Sequence, residues 1–226
     1  PWHELMPWDA NFIVNGRSVK SKLFSIRDCQ KITEKAIVSH MQEQYNKGTE
    51  WLPKTGASYP IEVALLKDIA TLTIDTSGDA LHKRGYREFH SAAPLKETMA
   101  AAMLMLTNWK PDMPLYDVFT GSGTLAIEAA MIGRNIAPGI NREFVSQEWK
   151  CIPKKAWFDA IKEANDKAEW DKPLKIYASD VDSEMVKLAK TNAELADVRD
   201  AINVMQRDAA DFKPKEDFGV IIGNPP

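Results

Sequence analysis

Apolar and polar positions follow one rhythm in the first third of the chain and another in the rest. Asn11-Phe12-Ile13-Val14 has the make-up of a strand, and the Asn15-Gly16 pair after it predicts a tight turn. Ile26, Cys29, Ile32, Ala36, Ile37, His40 and Met41 recur at helical spacing, so a helix capped by Ser25 is expected to reach about Tyr45. Strands are predicted at 61–66 and 71–75, joined by Lys67-Asp68. These elements predict a small α+β unit over residues 11–77.

Residues 78–94 form a connector rich in Gly, Arg and His, after which an Ala- and Met-rich helix is predicted at 95–109. Short apolar runs then predict strands at 115–119, 174–179, 202–206 and 218–223. Helices are predicted at 124–132, from Pro153 to about Trp170, and at 183–195, with an irregular stretch at 133–153. Strands alternating with helices imply an α/β fold with a parallel, doubly wound, Rossmann-like sheet. In such a sheet the ligand lies beyond the carboxyl ends of the strands.

At 226 residues the chain has room for one large domain and part of a second. No apolar run is long enough to span a bilayer, and Pro1-Trp2-His3-Glu4 is no signal peptide, so no membrane partner is expected. The chain opens without an initiator Met and stops directly after a strand pattern, so both ends are expected to be cut. Cys29 and Cys151 are too few for a disulfide framework or a zinc site, and the four histidines lack ligand spacing. No metal is therefore expected, and a reducing cytoplasmic location is. Net charge is −3, which gives no global sign of nucleic-acid binding. Residues 1–90 carry 12 Lys and Arg against 11 Asp and Glu, and within them Arg17, Lys20, Lys22 and Arg27 form a cluster that could meet RNA phosphates. A solvated face would look the same.

Four features fall at the predicted carboxyl edge of the sheet. Asp117-Val118-Phe119-Thr120-Gly121-Ser122-Gly123-Thr124 spans a strand end, a tight loop and a helix start. Its glycines allow close backbone approach and positive φ, and the helix N-terminus offers unpaired N–H groups. Gly121-x-Gly123-x-x-Ala126 equally matches a dinucleotide fingerprint. That fingerprint expects an acid roughly 20 residues on, whereas Asp180, at the end of the next strand, stands 57 positions after Gly123. Asp180 can accept ribose hydroxyls or cap the next helix, although Asp182 or Ser183 could cap it instead. Asp208 follows the third strand and could accept from an adenine amine. Asn224-Pro225-Pro226 follows the fourth. Two prolines remove two N–H donors and fix φ, leaving carbonyl acceptors in a rigid turn beside the Asn amide. Such acceptors hold a planar amine and stabilise the positive charge it develops on becoming tetrahedral.

Carrying Asp117-x-x-x-Gly121-Ser122-Gly123-Thr124, Asp180-x-Asp182 and Asn224-Pro225-Pro226 together, the chain resembles the class I amino-methyltransferases. More narrowly, Asp75-Thr76-Ser77-Gly78, His82-Lys83-Arg84-Gly85-Tyr86-Arg87 and Ala93-Pro94-Leu95-Lys96-Glu97-Thr98 are similar to bacterial THUMP-domain RNA methyltransferases. So is Ile127-Glu128-Ala129-Ala130-Met131-Ile132-Gly133-Arg134-Asn135-Ile136-Ala137-Pro138-Gly139. Members are often labelled N6-adenine-specific DNA methylases, and characterised relatives methylate guanine N2 in 23S ribosomal RNA.

The resemblance implies part of a THUMP-type RNA-binding domain over residues 1–77 and a class I methyltransferase domain, incomplete at its C-terminus, over 78–226. It implies S-adenosylmethionine across Thr120, Gly121, Ser122, Gly123 and Thr124, with Asp117 orienting the loop or the cofactor's amino group. Asp180 and Val181 would meet the ribose, Asp208 and Ala209 the adenine, and Pro94, Lys96 and Glu97 would close the pocket. Asn224, Pro225 and Pro226 would be catalytic, with Asn224 also beside the cofactor and no general base needed. The implied partner is RNA, with ribosomal RNA favoured and transfer RNA the alternative. The family pattern continues with an aromatic residue after the prolines, so the parent protein is expected to be an enzyme and the sequence as it stands an inactive part of it. Adenine N6 in DNA, a glutamine amide, or a non-catalytic RNA-binding scaffold are the alternatives.

Overall fold

The computed structural model describes residues 2–87 and 95–225. Pro94 and Pro226, both expected in the site, lie outside the described residues. The chain divides into two compact units, residues 1–80 with 143–158 and residues 81–142 with 159–226. The first therefore includes a segment that lies far along the sequence. Among the described residues no helix is long and apolar enough to cross a membrane.

The first unit contains α1 (Trp2–Leu5), β1 (Asn11–Val19), α2 (Ile26–Gln44), β2 (Ser58–Leu66) and β3 (Ile69–Ile74). Its sheet has the order β1-β2-β3, with β1 parallel to β2 and β3 antiparallel to it. A parallel pair needs a crossover, and α2 supplies it. Alternate residues Phe12 and Val14 of β1 and Tyr59, Ile61 and Val63 of β2 are buried with Ile37 and Met41 of α2. Trp149 joins them, its ring stacked on Tyr59 at 4.7 Å and its Nε1 donating to the Ser58 carbonyl over 2.8 Å.

Two expectations for this unit are corrected. Asn15-Gly16 is not a turn, because β1 runs through it, pairing Asn15 with Glu62 and Gly16 with Val63. The glycine serves packing: a Cβ there would stand 2.9 Å from Ile26 Cγ2 and 3.0 Å from Gln30 Cγ. Of the helical face, Ile37 and Met41 are buried but Ile32 is 70% exposed. At 3.6 residues per turn, Ile32 stands on the opposite side of the helix from Met41. The Lys67-Asp68 connection is as expected, both residues taking positive φ (49° and 65°), as a two-residue hairpin turn requires.

The second unit holds α3 (Glu97–Met105), β4 (Leu115–Asp117), α4 (Thr124–Gly133), β5 (Ile176–Asp180), α6 (Ser183–Leu195), β6 (Ile202–Gln206) and β7 (Val220–Ile221). Helix α5 (Lys154–Lys167) begins in the segment assigned to the first unit and ends in the second. The sheet is parallel throughout, in the order β6-β5-β4-β7. From β4 the chain proceeds through β5 to β6, then returns to the other side of β4 for β7. The crevice between the carboxyl ends of β4 and β7 is thus the topological switch point, where α/β sheets bind ligands. Helix α4 is apolar nearly all round and buries Ala126, Ile127, Ala129 and Ala130 with Ile176, Ile202, Val186 and Ala189. Strand β4 ends two residues earlier than expected, because the Phe119 amide bends back to Asp117 Oδ1 at 3.3 Å.

Candidate active site

A cavity of about 420 Å³ opens at the switch point. Its wall brings together Asp117, Thr120, Gly121, Ser122 and Thr124 from the loop after β4, and Asp180 and Val181 from the end of β5. Asn224 and Pro225 reach it from beyond β7. Leu95, Phe119, Leu125 and Met185, which the motifs did not single out for the site, add to the apolar part of the wall.

The loop is held on several sides. The Thr120 amide donates to the Ser179 carbonyl (3.0 Å), the Gly121 amide to Asp180 Oδ2 (2.8 Å) and the Gly123 amide to the Thr120 carbonyl (2.8 Å). Gly121 has φ +51° and, among the described residues, no atom within 4 Å of where a Cβ would sit, so its backbone is open on that side. Gly123, with φ +88°, does not line the cavity. It starts α4 and lets the helix approach α6, where a Cβ would come within 3.0 Å of Ala189 Cβ. Asp180 Oδ1 accepts the Asp182 amide (3.0 Å), while Asp182 caps α6 by accepting from the Glu184 amide (2.8 Å). Asp180 is thereby left facing the cavity.

Asp117 is 1% exposed, and among the described residues its Oδ2, like Thr120 Oγ1, has no well-aligned hydrogen-bond partner. Burial pushes the Asp117 carboxyl up to about 7; the Asp180 charge adds to the rise, and the Thr120 side chain and Phe119 amide oppose it. Unpaired buried polar atoms are costly in a protein interior, and their position in a cavity wall marks where ligand groups complete the site.

Other expected site residues stand elsewhere. Lys96 is exposed at the start of α3, and Glu97 is turned inward: it is 3% exposed, with Oε1 3.3 Å from Arg87 Nε. Neither is in the cavity wall, so the expected contribution of Glu97 to it is corrected by the pull of a buried guanidinium. Asp208 uses one carboxylate oxygen to accept the Ala210 amide (2.9 Å) and is exposed; with Ala209 it lies just past β6, outside the cavity wall. Arg17, Lys20, Lys22 and Arg27 are all exposed on the first unit, with Arg17 Nε 2.8 Å from Glu62 Oε1.

Three supporting residues escaped the sequence reading. Arg87 donates to the Leu95 carbonyl (3.0 Å) and to the Thr124 hydroxyl, joining two parts of the cavity wall. Glu128, 2% exposed, receives the Tyr86 hydroxyl (3.1 Å) and Arg84 Nη2 (3.3 Å). Asn192 donates to the Ser122 carbonyl (3.0 Å). Helical spacing registers none of these, since all but the Arg87–Leu95 bond act across 37 to 70 positions of sequence.

A glycine loop and a following acid at this edge would serve a dinucleotide enzyme equally well. Asn224-Pro225, lining the cavity from the far side of the switch point, is the feature that the class I amino-methyltransferase pattern adds to it. Comparison with known proteins agrees. Residues 84–226 match the family described as "RMKL-like, methyltransferase domain" and residues 1–75 the "THUMP domain", and the chain belongs to that methyltransferase family.

Over 225 residues the chain is 52% identical to "Putative RNA methyltransferase YpsC" of Bacillus subtilis (strain 168), covering 100% of this chain and 58% of that protein. Over 178 residues it is 42% identical to "Ribosomal RNA large subunit methyltransferase K/L" of Shewanella pealeana (strain ATCC 700345 / ANG-SQ1), covering 76% and 25%. Among solved structures, a "predicted N6-adenine-specific DNA methylase from Listeria monocytogenes str. 4b F2365" superposes with a TM-score of 0.96 at 52% identity, covering 100% and 59%. The structure described as "SMU.472, a putative methyltransferase complexed with SAH" superposes at 0.94 with 43% identity, again covering 100% and 59%. The chain thus spans less than two thirds of the relatives it matches. Methyltransferases of this family use S-adenosylmethionine, and the residues present suit it. The unpartnered Asp117 Oδ2 and Thr120 Oγ1 and the bare Gly121 backbone offer the acceptors and the close approach that an amino acid joined to a ribose needs.

Proposed function

We propose that the protein is an S-adenosylmethionine-dependent RNA methyltransferase whose target is the N2 amine of a guanine in 23S ribosomal RNA. The observation that carries this reading is the meeting of Asn224-Pro225 with Asp117, Gly121 and Asp180 around one cavity. The cofactor supplies an electrophilic methyl group on a sulfonium. Asp180 accepts the ribose hydroxyls, Val181 flanks them, and Asp117 with Thr120 takes the amino-acid end. Thr124 and the first turn of α4 turn N–H groups toward the same space.

On the other side, the Asn224 side-chain oxygen and the Pro225 carbonyl accept the two N–H bonds of the target amine. The amine's lone pair is then directed at the methyl carbon. Both acceptors strengthen as the nitrogen turns positive, so they favour the transition state over the planar amine. The proton leaves afterwards, and no general base is required. On the first unit, Arg17, Lys20, Lys22 and Arg27 meet the RNA backbone.

RNA rather than DNA is supported by the THUMP match over residues 1–75 and by the names of the curated relatives, whereas one solved neighbour is described as a DNA methylase. The same acceptor turn would serve adenine N6, so the substrate decides. Purified full-length protein is given ribosomal RNA from cells lacking the gene, and nucleosides are mapped by mass. The expected product is N2-methylguanosine at one site in the large-subunit RNA. Methylation of adenine, or of DNA in preference to RNA, would overturn the assignment.

A further inference from the structure

We infer that Asn192 is a positioning residue for the cofactor loop, an inference that rests on the cofactor site proposed above. Asn192 is 0% exposed on α6, among Val186, Ala189 and Ala193. Its Nδ2 donates to the Ser122 carbonyl over 3.0 Å, and among the described residues its Oδ1 has no partner. A buried acceptor left unpaired destabilises the fold, and an apolar side chain of similar size would avoid that cost. A break of this kind with local packing rules points to function rather than stability.

What the hydrogen bond holds is one peptide plane. The Gly123 amide is already tied to the Thr120 carbonyl at 2.8 Å. With Asn192 on the Ser122 carbonyl, both ends of the planar unit between residues 122 and 123 are fixed, and the peptide cannot flip. It needs this restraint, because Gly121 and Gly123 at positive φ leave the backbone on either side of Ser122 permissive. Ser122 and Thr124, which both line the cavity, move with that peptide. Ala189, one turn before Asn192 on the same face of α6, is the residue against which Gly123 packs. Helix α6 therefore approaches the loop closely at Ala189 and grips it at Asn192.

The test titrates S-adenosylhomocysteine calorimetrically into the full-length wild type and Asn192→Leu, with thermal unfolding of both. The variant is expected to bind about tenfold more weakly, the worth of roughly one hydrogen bond, while its Tm stays close to that of the wild type. Hydrogen exchange is expected to quicken at the amides of residues 121–124 and to stay unchanged along α6. Equal affinity in the two proteins overturns the inference. If Asn192→Leu does not fold, Asn192→Ala is read in the same way. If neither folds, Asn192 is a structural residue and the inference is again overturned. A wild type that fails to bind removes the cofactor site itself, an outcome visible in the wild-type trace alone.

Discussion

The Gly121 amide donates to Asp180 Oδ2 over 2.8 Å, so the acid after one strand holds the glycine loop after its neighbour. Asp180 Oδ1 in turn accepts the Asp182 amide at 3.0 Å. Each oxygen keeps a lone pair for a ligand, and the carboxylate is already oriented before any ligand arrives. Replacing Asp180 by Ala should therefore remove a ligand contact and slacken the loop together. We predict about 100-fold weaker binding of S-adenosylhomocysteine, equal to roughly two charge-assisted hydrogen bonds. Asp180→Asn should fall between, retaining one acceptor. Unchanged affinity in Asp180→Ala would sink the ribose assignment.

Asp117 makes stability depend on pH in an unusual direction for a carboxylate. Its value rises from 3.8 in the unfolded reference to about 7 in the fold, so the native state holds a proton that the unfolded chain gives up between those values. Stability should then fall as pH rises from about 4 to about 7, and the cost is fully present above that range. Asp117→Asn abolishes the titration. At pH 8 it should be more stable than wild type by as much as about 4 kcal/mol, and at pH 4 nearly equal to it. Denaturation of both proteins across this range is the check, and a gap that does not vary with pH would contradict it.

Glu128 has two partners under the site, Arg84 and Tyr86, and is 2% exposed. Glu128→Ala leaves a largely buried guanidinium uncompensated and should cost about 3–5 kcal/mol. Asp166, paired with Lys162 on the surface of α5, makes the contrast: its two side chains are 61% and 62% exposed. Asp166→Ala should cost under about 0.5 kcal/mol. Urea unfolding of the two variants separates them, and similar costs would show that the Glu128 pair is not the buried one.

The two loop glycines should differ in their tolerance. Gly123→Ala meets both a positive φ of 88° and Ala189 at 3.0 Å, and a loss of about 2–3 kcal/mol is expected. Gly121→Ala meets only the positive φ, with no atom in its way, and should lose about 1 kcal/mol. Its larger effect should be on cofactor affinity, because the added methyl stands where the ligand approaches. A Gly121→Ala protein that binds S-adenosylhomocysteine as wild type does would contradict this.

Much of the strand and helix pattern of the second unit was legible from local composition and periodicity: α6 and β6 fall at their predicted bounds. That these segments meet at one edge of the sheet was legible for a related reason, since a glycine loop, a strand-end acid and an Asn-Pro pair are all short-range patterns. Gly16 misled because Asn-Gly is a local turn signal, while the parallel partner β2 and the pressing helix α2 are non-local. Glu97 misled for want of its partner, Arg87, ten positions away. Trp149 gave no sign that it belongs to the core of the first unit, since its contacts with Ser58 and Tyr59 cross about 90 positions.

In the proposed reaction Asn224 holds the amine that receives the methyl group. The most direct measurement compares single-turnover methyl transfer to unmodified ribosomal RNA by full-length wild type and Asn224→Ala, with S-adenosylhomocysteine affinity measured alongside. Loss of an acceptor that strengthens in the transition state should slow transfer about 100-fold or more, while affinity for the cofactor product changes far less. Equal transfer rates in the two proteins would contradict the claim.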